Sequence, residues 1–140
     1  MKRNIVAGDY VFVYGTLRVG ASNSLSGWSG VKHVNETRIN GMLYGVCNSY
    51  PGVGAVSDTL FSEDAPIVKG DLFLVTDDEA GRGMDRYEGY PSLYDRDLVC
   101  CEDGTDAWVY THNNTSAAPV IESGDWMAHQ EHIQNLYNYR

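Results

Sequence analysis

The sequence of 140 residues has few cations, few cysteines and no long apolar run, and each shortage closes a class of function. Ten Lys and Arg stand against nineteen Asp and Glu, a formal charge of −9 that repels a phosphate backbone, so nucleic acid is not an expected partner. No apolar stretch approaches the roughly 20 residues that cross a bilayer, and no membrane segment is expected. The opening "MKRNIVAGDYVFVYG" is basic at first but runs into Asp9 without a small-residue cleavage site. The chain is therefore read as soluble, uncleaved and cytoplasmic. On that reading the sequons at Asn35, Asn113 and Asn114 match glycosylation only by letters.

The cysteines are Cys47, Cys100 and Cys101, and three cannot all pair within one chain. There is no C-x-x-C pair for zinc, so they read as small buried hydrophobes. Acidic neighbours in "DLVCCEDG" raise a thiol pKa and demote a cysteine nucleophile. No G-x-S-x-G elbow occurs, and joining Ser24 or Ser29 to His33 would assemble a triad from mere availability. "GVGAVS" lacks the third glycine of a dinucleotide fingerprint and reads as a turn. His129 and His132 have the i, i+3 spacing of a shared metal site, but no third ligand is marked; no metal and no cofactor is expected.

What the chain does contain is 43% hydrophobic residues with Gly, Tyr and Val scattered throughout, the composition of a globular, strand-rich protein. Its length suits one domain, 1–140, around one core. "DYVFVYG", "TRINGMLYGVC", "KGDLFLVT", "YDRDLVCCED" and "TDAWVYTHN" have strand-like patterns separated by turn formers, giving at least five strands. "SYPGVGAVS" and "NNTSAAP" read as turns. A helix over 76–88 has a cap at Thr76 or Asp77 and acids in its first turn, weakened by Gly81 and Gly83; a second forms near the end, in "GDWMAHQEHIQNLY". The expected class is α+β: a small mixed, mostly antiparallel β-barrel with short helices packed beside it.

Two segments stand out. "YGTL" closes a strand, and a glycine-containing turn there exposes several backbone N–H groups that can hold a carboxylate or an oxyanion. "EGYP" closes a helix and leaves Glu88 where an ordinary helix end needs no acid. Taken singly, each also fits a plain turn and a solvated acid.

Together, "VFVYGTLRVGASN" (residues 11–23) and "MDRYEGYP" (residues 84–91) resemble the gamma-glutamylcyclotransferase superfamily, with Met84 where leucine is usual. "GMLYGV", "YPGV", "VKGDLFLV" and "VIESGDW" extend the resemblance over nearly the whole chain, with departures around 27–38, 59–68 and the glycine-interrupted helix. The resemblance implies a small barrel with a substrate cavity at one mouth and, as substrate, a small γ-glutamyl amine or peptide. It also implies a reaction in which the substrate's α-amine attacks its own γ-carbonyl, releasing 5-oxoproline and an amine. It makes Glu88 the catalytic acid/base and assigns substrate binding to Tyr14, Gly15, Thr16, Leu17 and Tyr94, the Tyr94 phenol also positioning Glu88. Burial beneath Tyr87, Tyr90 and Tyr94 would raise the Glu88 pKa toward that of the amine it serves. A binding module on the same fold, or an enzyme that removes a γ-glutamyl protecting group in biosynthesis, shares these residues. The leaving amine and the oligomeric state are not legible in the sequence.

Overall fold

The computed structural model describes residues 2–46, 50–54, 56 and 59–138, so Cys47 lies outside the described residues. Among them, seven strands form one sheet: β1 (Tyr10–Val13), β2 (Val31–Asn40), β3 (Leu43–Val46), β4 (Tyr50–Val53), β5 (Ile67–Val75), β6 (Tyr94–Cys100) and β7 (Asp106–His112). The path runs β2-β5-β1-β7-β4-β3, with β6 on β7. Among the described residues, only the β1–β7 and β4–β7 pairings are parallel.

Side-chain alternation divides the apolar residues between two sides. Phe12 and Tyr14, Val68 and Leu72, and Ala107 and Val109 enter one cluster; Val11 and Val13, Phe73 and Val75, and Trp108 and Tyr110 enter the other. Ile39 of β2 and Leu43 of β3 meet in the first cluster although their strands end the path, so the sheet is curled. This is the mixed, mostly antiparallel barrel-like α+β architecture expected, with helices at its side.

Helix α1 (Asp78–Glu88) covers the second cluster through Ala80, Gly81 and Met84. Asp77 is its cap, accepting from the Glu79 N–H at 2.9 Å. The glycines do not interrupt it. A Cβ on Gly81 would lie 2.3 Å from the Ile5 carbonyl oxygen, so glycine lets the helix press against the N-terminal segment. Met84 is fully buried, a contribution of about 2 kcal/mol. Helix α2 (Trp126–Asn138) follows, with Asp125 accepting from the Ala128 N–H at 3.1 Å and Trp126 buried at its start.

Two strand expectations need correction. "TRINGMLYGVC" is not one strand: β2 and β3 are separated at Gly41 and Met42, and β2 begins earlier, paired with β5 from Val31. The turn read in "SYPGVGAVS" contains β4, whose Pro51 and Gly52 suggested a turn. Gly52 is required there because a Cβ would sit 2.8 Å from that of His112. The local breaker signal loses to the pairing of β4 with β3 and β7.

Candidate active site

β6 occupies one edge of β7 from Asp106 to His112, so β1 and β4 must share the other. β1 reaches Val109 and β4 reaches Thr111, and the strands part around Tyr110. The Tyr14 phenol closes the fork by donating to the Tyr110 carbonyl at 2.7 Å and accepting from the Val53 N–H at 3.1 Å. Beside it opens a cavity of about 270 Å³ lined by Tyr14, Gly15, Thr16, Leu17, Glu88 and Tyr94, together with apolar and aromatic neighbours from β1, β4 and β7. All six residues singled out in the sequence line this one cavity, although roughly seventy residues separate the two motifs.

The N–H groups of Gly15, Thr16 and Leu17 have no acceptor among the described residues, which leaves a run of backbone donors at the cavity wall. Glycine is required at 15, since a Cβ would come 2.6 Å from Pro51 Cγ. The loop is anchored beyond this point. Buried Asp71 accepts from Arg18 Nε and the Val19 N–H, both at 3.1 Å, and its other oxygen lies 3.2 Å from His33 Nε2. Asn23 Nδ2 donates to the Tyr87 hydroxyl at 3.2 Å, and that hydroxyl lies 2.9 Å from Thr16 Oγ1, tying the loop to α1.

Glu88 is the last residue of α1, and Gly89, at φ 66°, ends the helix in the left-handed region. The N–H groups of Gly89 and Tyr90 return to the carbonyls of Arg86 and Asp85. This reversal leaves Glu88 on the cavity wall while the chain turns away to β6. Burial raises its pKa to about 7. The negative end of the helix dipole acts in the same direction. No ion pair or hydrogen bond opposes these effects among the described residues.

The Tyr94 hydroxyl donates to the Pro51 carbonyl at 2.7 Å, joining β6 to β4, and Tyr94 lines the cavity together with Glu88. Tyr14 contributes a structural phenol beyond the backbone group anticipated. Burial first, with the nearby carboxylates, pushes the phenols of Tyr14, Tyr94 and Tyr110 above the ordinary tyrosine value, so they remain donors at neutral pH. Glu88 is then the lining group poised to exchange a proton near neutrality.

Sequence reasoning overlooked the ion pair behind the cavity. Arg96 is fully buried and donates from Nε and Nη2 to the two Asp85 oxygens at 2.9 and 3.1 Å. Its guanidinium lies between the Tyr90 and Trp108 rings, 4.3 and 4.5 Å from their centroids. Tyr110 also donates to Asp85 Oδ1, at 2.6 Å. Asp85 thus holds α1 one turn before Glu88. The signal was present: period-two alternation places Arg96 on the same face as Tyr94, and a strand arginine on an inward face needs a carboxylate. Asp71 likewise stands as a charge inside the apolar run "GDLFLV".

Burial, followed by the nearby acids, pushes the Cys101 thiol up to about 12, consistent with its low expected reactivity. His129 lies tilted against Trp126, ring centroids 5.7 Å apart, while His132 is exposed. Among the described residues, no three His, Cys, Asp or Glu side chains converge as a metal site.

A family model described as Gamma-glutamyl cyclotransferase, AIG2-like matches residues 11–128. A Vibrio cholerae protein named "Putative gamma-glutamylcyclotransferase" is 36% identical over 118 residues, 83% of this chain and 93% of the relative. The crystal structure of YkqA from Bacillus subtilis is similar at a TM-score of 0.67 and 24% identity, covering 91% of this chain. The match spans only 42% of that longer protein. An AIG2-like protein from Mus musculus gives a TM-score of 0.65 at 21% identity, over 83% of this chain and 87% of its own. At these identities the structural likenesses show the fold alone.

Proposed function

The chain belongs to the gamma-glutamyl cyclotransferase, AIG2-like family, and from that premise we propose that it converts a small γ-glutamyl amine or peptide to 5-oxoproline and the free amine, with Glu88 as acid/base. The observation that carries the reading is a carboxylate, raised to about 7, that has no charged partner among the described residues and shares a cavity with three backbone N–H groups that find no acceptor among them. The Gly15–Leu17 donors would hold the substrate's α-carboxylate and receive charge developing on the γ-carbonyl oxygen. The reacting nitrogen and carbon belong to one molecule, so folding the substrate into an attack geometry replaces a covalent enzyme intermediate.

Glu88 takes a proton from the α-ammonium, whose nitrogen then attacks the γ-carbonyl. The new C–N bond closes the five-membered ring, and the original bond to the amine breaks. Overall the α-nitrogen gives up two protons and the leaving amine gains two, so the carboxylate ends as it began. An ordinary glutamate lies ~3.5 pH units below an α-amine, a mismatch of about 5 kcal/mol. At about 7 the mismatch falls to ~1 unit, or about 1.4 kcal/mol. The hydrogen bonds of Tyr14, Tyr94 and Tyr110 hold the cavity wall while these protons move.

The test uses γ-glutamyl-phenethylamide in ¹⁸O-labelled water, with products read by mass spectrometry. Cyclotransfer yields unlabelled 5-oxoproline and stops when the α-amine is acetylated. Labelled glutamate as the direct product would make the protein a hydrolase, and binding without either product would make it a binding module; both results reject the proposal.

A further inference from the structure

We propose that the Tyr87 hydroxyl is a positioning group for the reaction, a clasp that holds the Gly15–Leu17 donors in register with Glu88. The inference rests on the cyclotransferase reading and adds to that site a residue that acts through others. The two halves of the site are anchored separately. The donor loop is fixed to β5, where Asp71 accepts from Arg18 Nε and the Val19 N–H. Glu88 is fixed through α1, whose Asp85 accepts from Arg96 of β6 and Tyr110 of β7. Neither anchor runs directly from the donors to the acid.

The Tyr87 hydroxyl makes that connection. Among the described residues, both hydrogen bonds between residues 15–23 and α1 end on its oxygen: Thr16 Oγ1 lies 2.9 Å away, and Asn23 Nδ2 donates at 3.2 Å. Asn23 also donates its backbone N–H to the Thr16 carbonyl at 3.0 Å. Thr16 is thus held at its carbonyl and its hydroxyl, while its own N–H finds no acceptor among the described residues. At the other end of the clasp, Tyr87 directly precedes Glu88 in the last turn of α1, and Thr16, Tyr87 and Glu88 all line the cavity. A phenol oxygen can accept from the asparagine amide and share a further bond with the threonine, so its removal breaks both ties together. The ring is held independently, edge-on to Trp28 with centroids 6.0 Å apart, and Tyr87 is 45% exposed. Loss of the oxygen alone therefore loosens the register of donors and acid while the fold persists.

Tyr87→Phe keeps the ring and deletes the oxygen. With γ-glutamyl-phenethylamide, kcat for 5-oxoproline release is expected to fall about 10- to 10²-fold, the scale of a small misplacement of reacting groups. Rates are taken per folded molecule, with the folded fraction read from urea denaturation, so a merely structural effect does not enter. KM should move by less than about threefold, because each half still meets its part of the substrate and the loss falls where donors and acid act together. Thr16→Val with Asn23→Ala removes both partners of the hydroxyl from the loop side, and adding Tyr87→Phe to that pair should cost less than about twofold more. Parental kcat in Tyr87→Phe, a rise in KM alone, or a loss that multiplies in full on the Thr16→Val, Asn23→Ala background would overturn the clasp while leaving cyclotransfer intact. Failure of the unsubstituted protein to yield 5-oxoproline would instead overturn the cyclotransferase reading and, with it, this inference.

Discussion

Replacing Glu88 with glutamine is expected to make the protein inactive and, above neutral pH, more stable. The amide keeps the size of the side chain but cannot accept the ammonium proton, so turnover should fall by at least ~10²-fold. The stability change follows from linkage. The carboxyl titrates at 4.5 without the fold and at about 7 within it, and each pH unit is worth about 1.4 kcal/mol. Below pH 4.5 both states hold the proton and the carboxyl adds no charge penalty. Between 4.5 and about 7 the unfolded chain releases the proton while the folded chain retains it, so native stability declines as pH rises; above 7 the full penalty is present. The full interval corresponds to about 3 kcal/mol, and solvent at the cavity mouth reduces this to about 1–3 kcal/mol. Glutamine does not titrate, so its advantage should be large at pH 8 and small at pH 5. Urea denaturation of both proteins at these two pH values measures the difference. An identical gap at both pH values would refute the account of Glu88 as a buried, unpaired carboxylate, and parental turnover by the variant would refute its catalytic role.

The unmodified enzyme should lose kcat/KM about tenfold per pH unit below about 7 as Glu88 takes up its proton; a flat 5-oxoproline rate profile to pH 5 contradicts this assignment. Asp85→Ala should cost about 3–5 kcal/mol in urea denaturation because it leaves fully buried Arg96 without a carboxylate and Tyr110 without its acceptor. Loss of less than about 1 kcal/mol would show that the pair does not hold α1. Tyr14→Phe deprives the buried Val53 N–H of its acceptor and the Tyr110 carbonyl of a donor, with an expected cost of about 1–3 kcal/mol. Its marker is faster hydrogen exchange at Val53, and unchanged protection there would show that the phenol does not bridge the fork.

Local chemistry made much of this protein legible without its fold. Alternation marked the central strands, Thr76 or Asp77 marked the start of α1, and Gly89 explained how a helix could end on Glu88 and turn away. These features arise from residues within a few positions of one another. Tertiary structure decided the rest, because pairing register depends on distant partners. It split the segment around Gly41, made β4 from a run that resembled a turn, and made Gly81 a close-packing residue. It directed the Tyr94 phenol to Pro51 and placed Asp85 and Asp71 behind the site as anchors for buried arginines. The sequence by itself determined which carboxylate and which turn to examine; only the fold brought them to one cavity, where desolvation raised Glu88 toward the pKa of an amine.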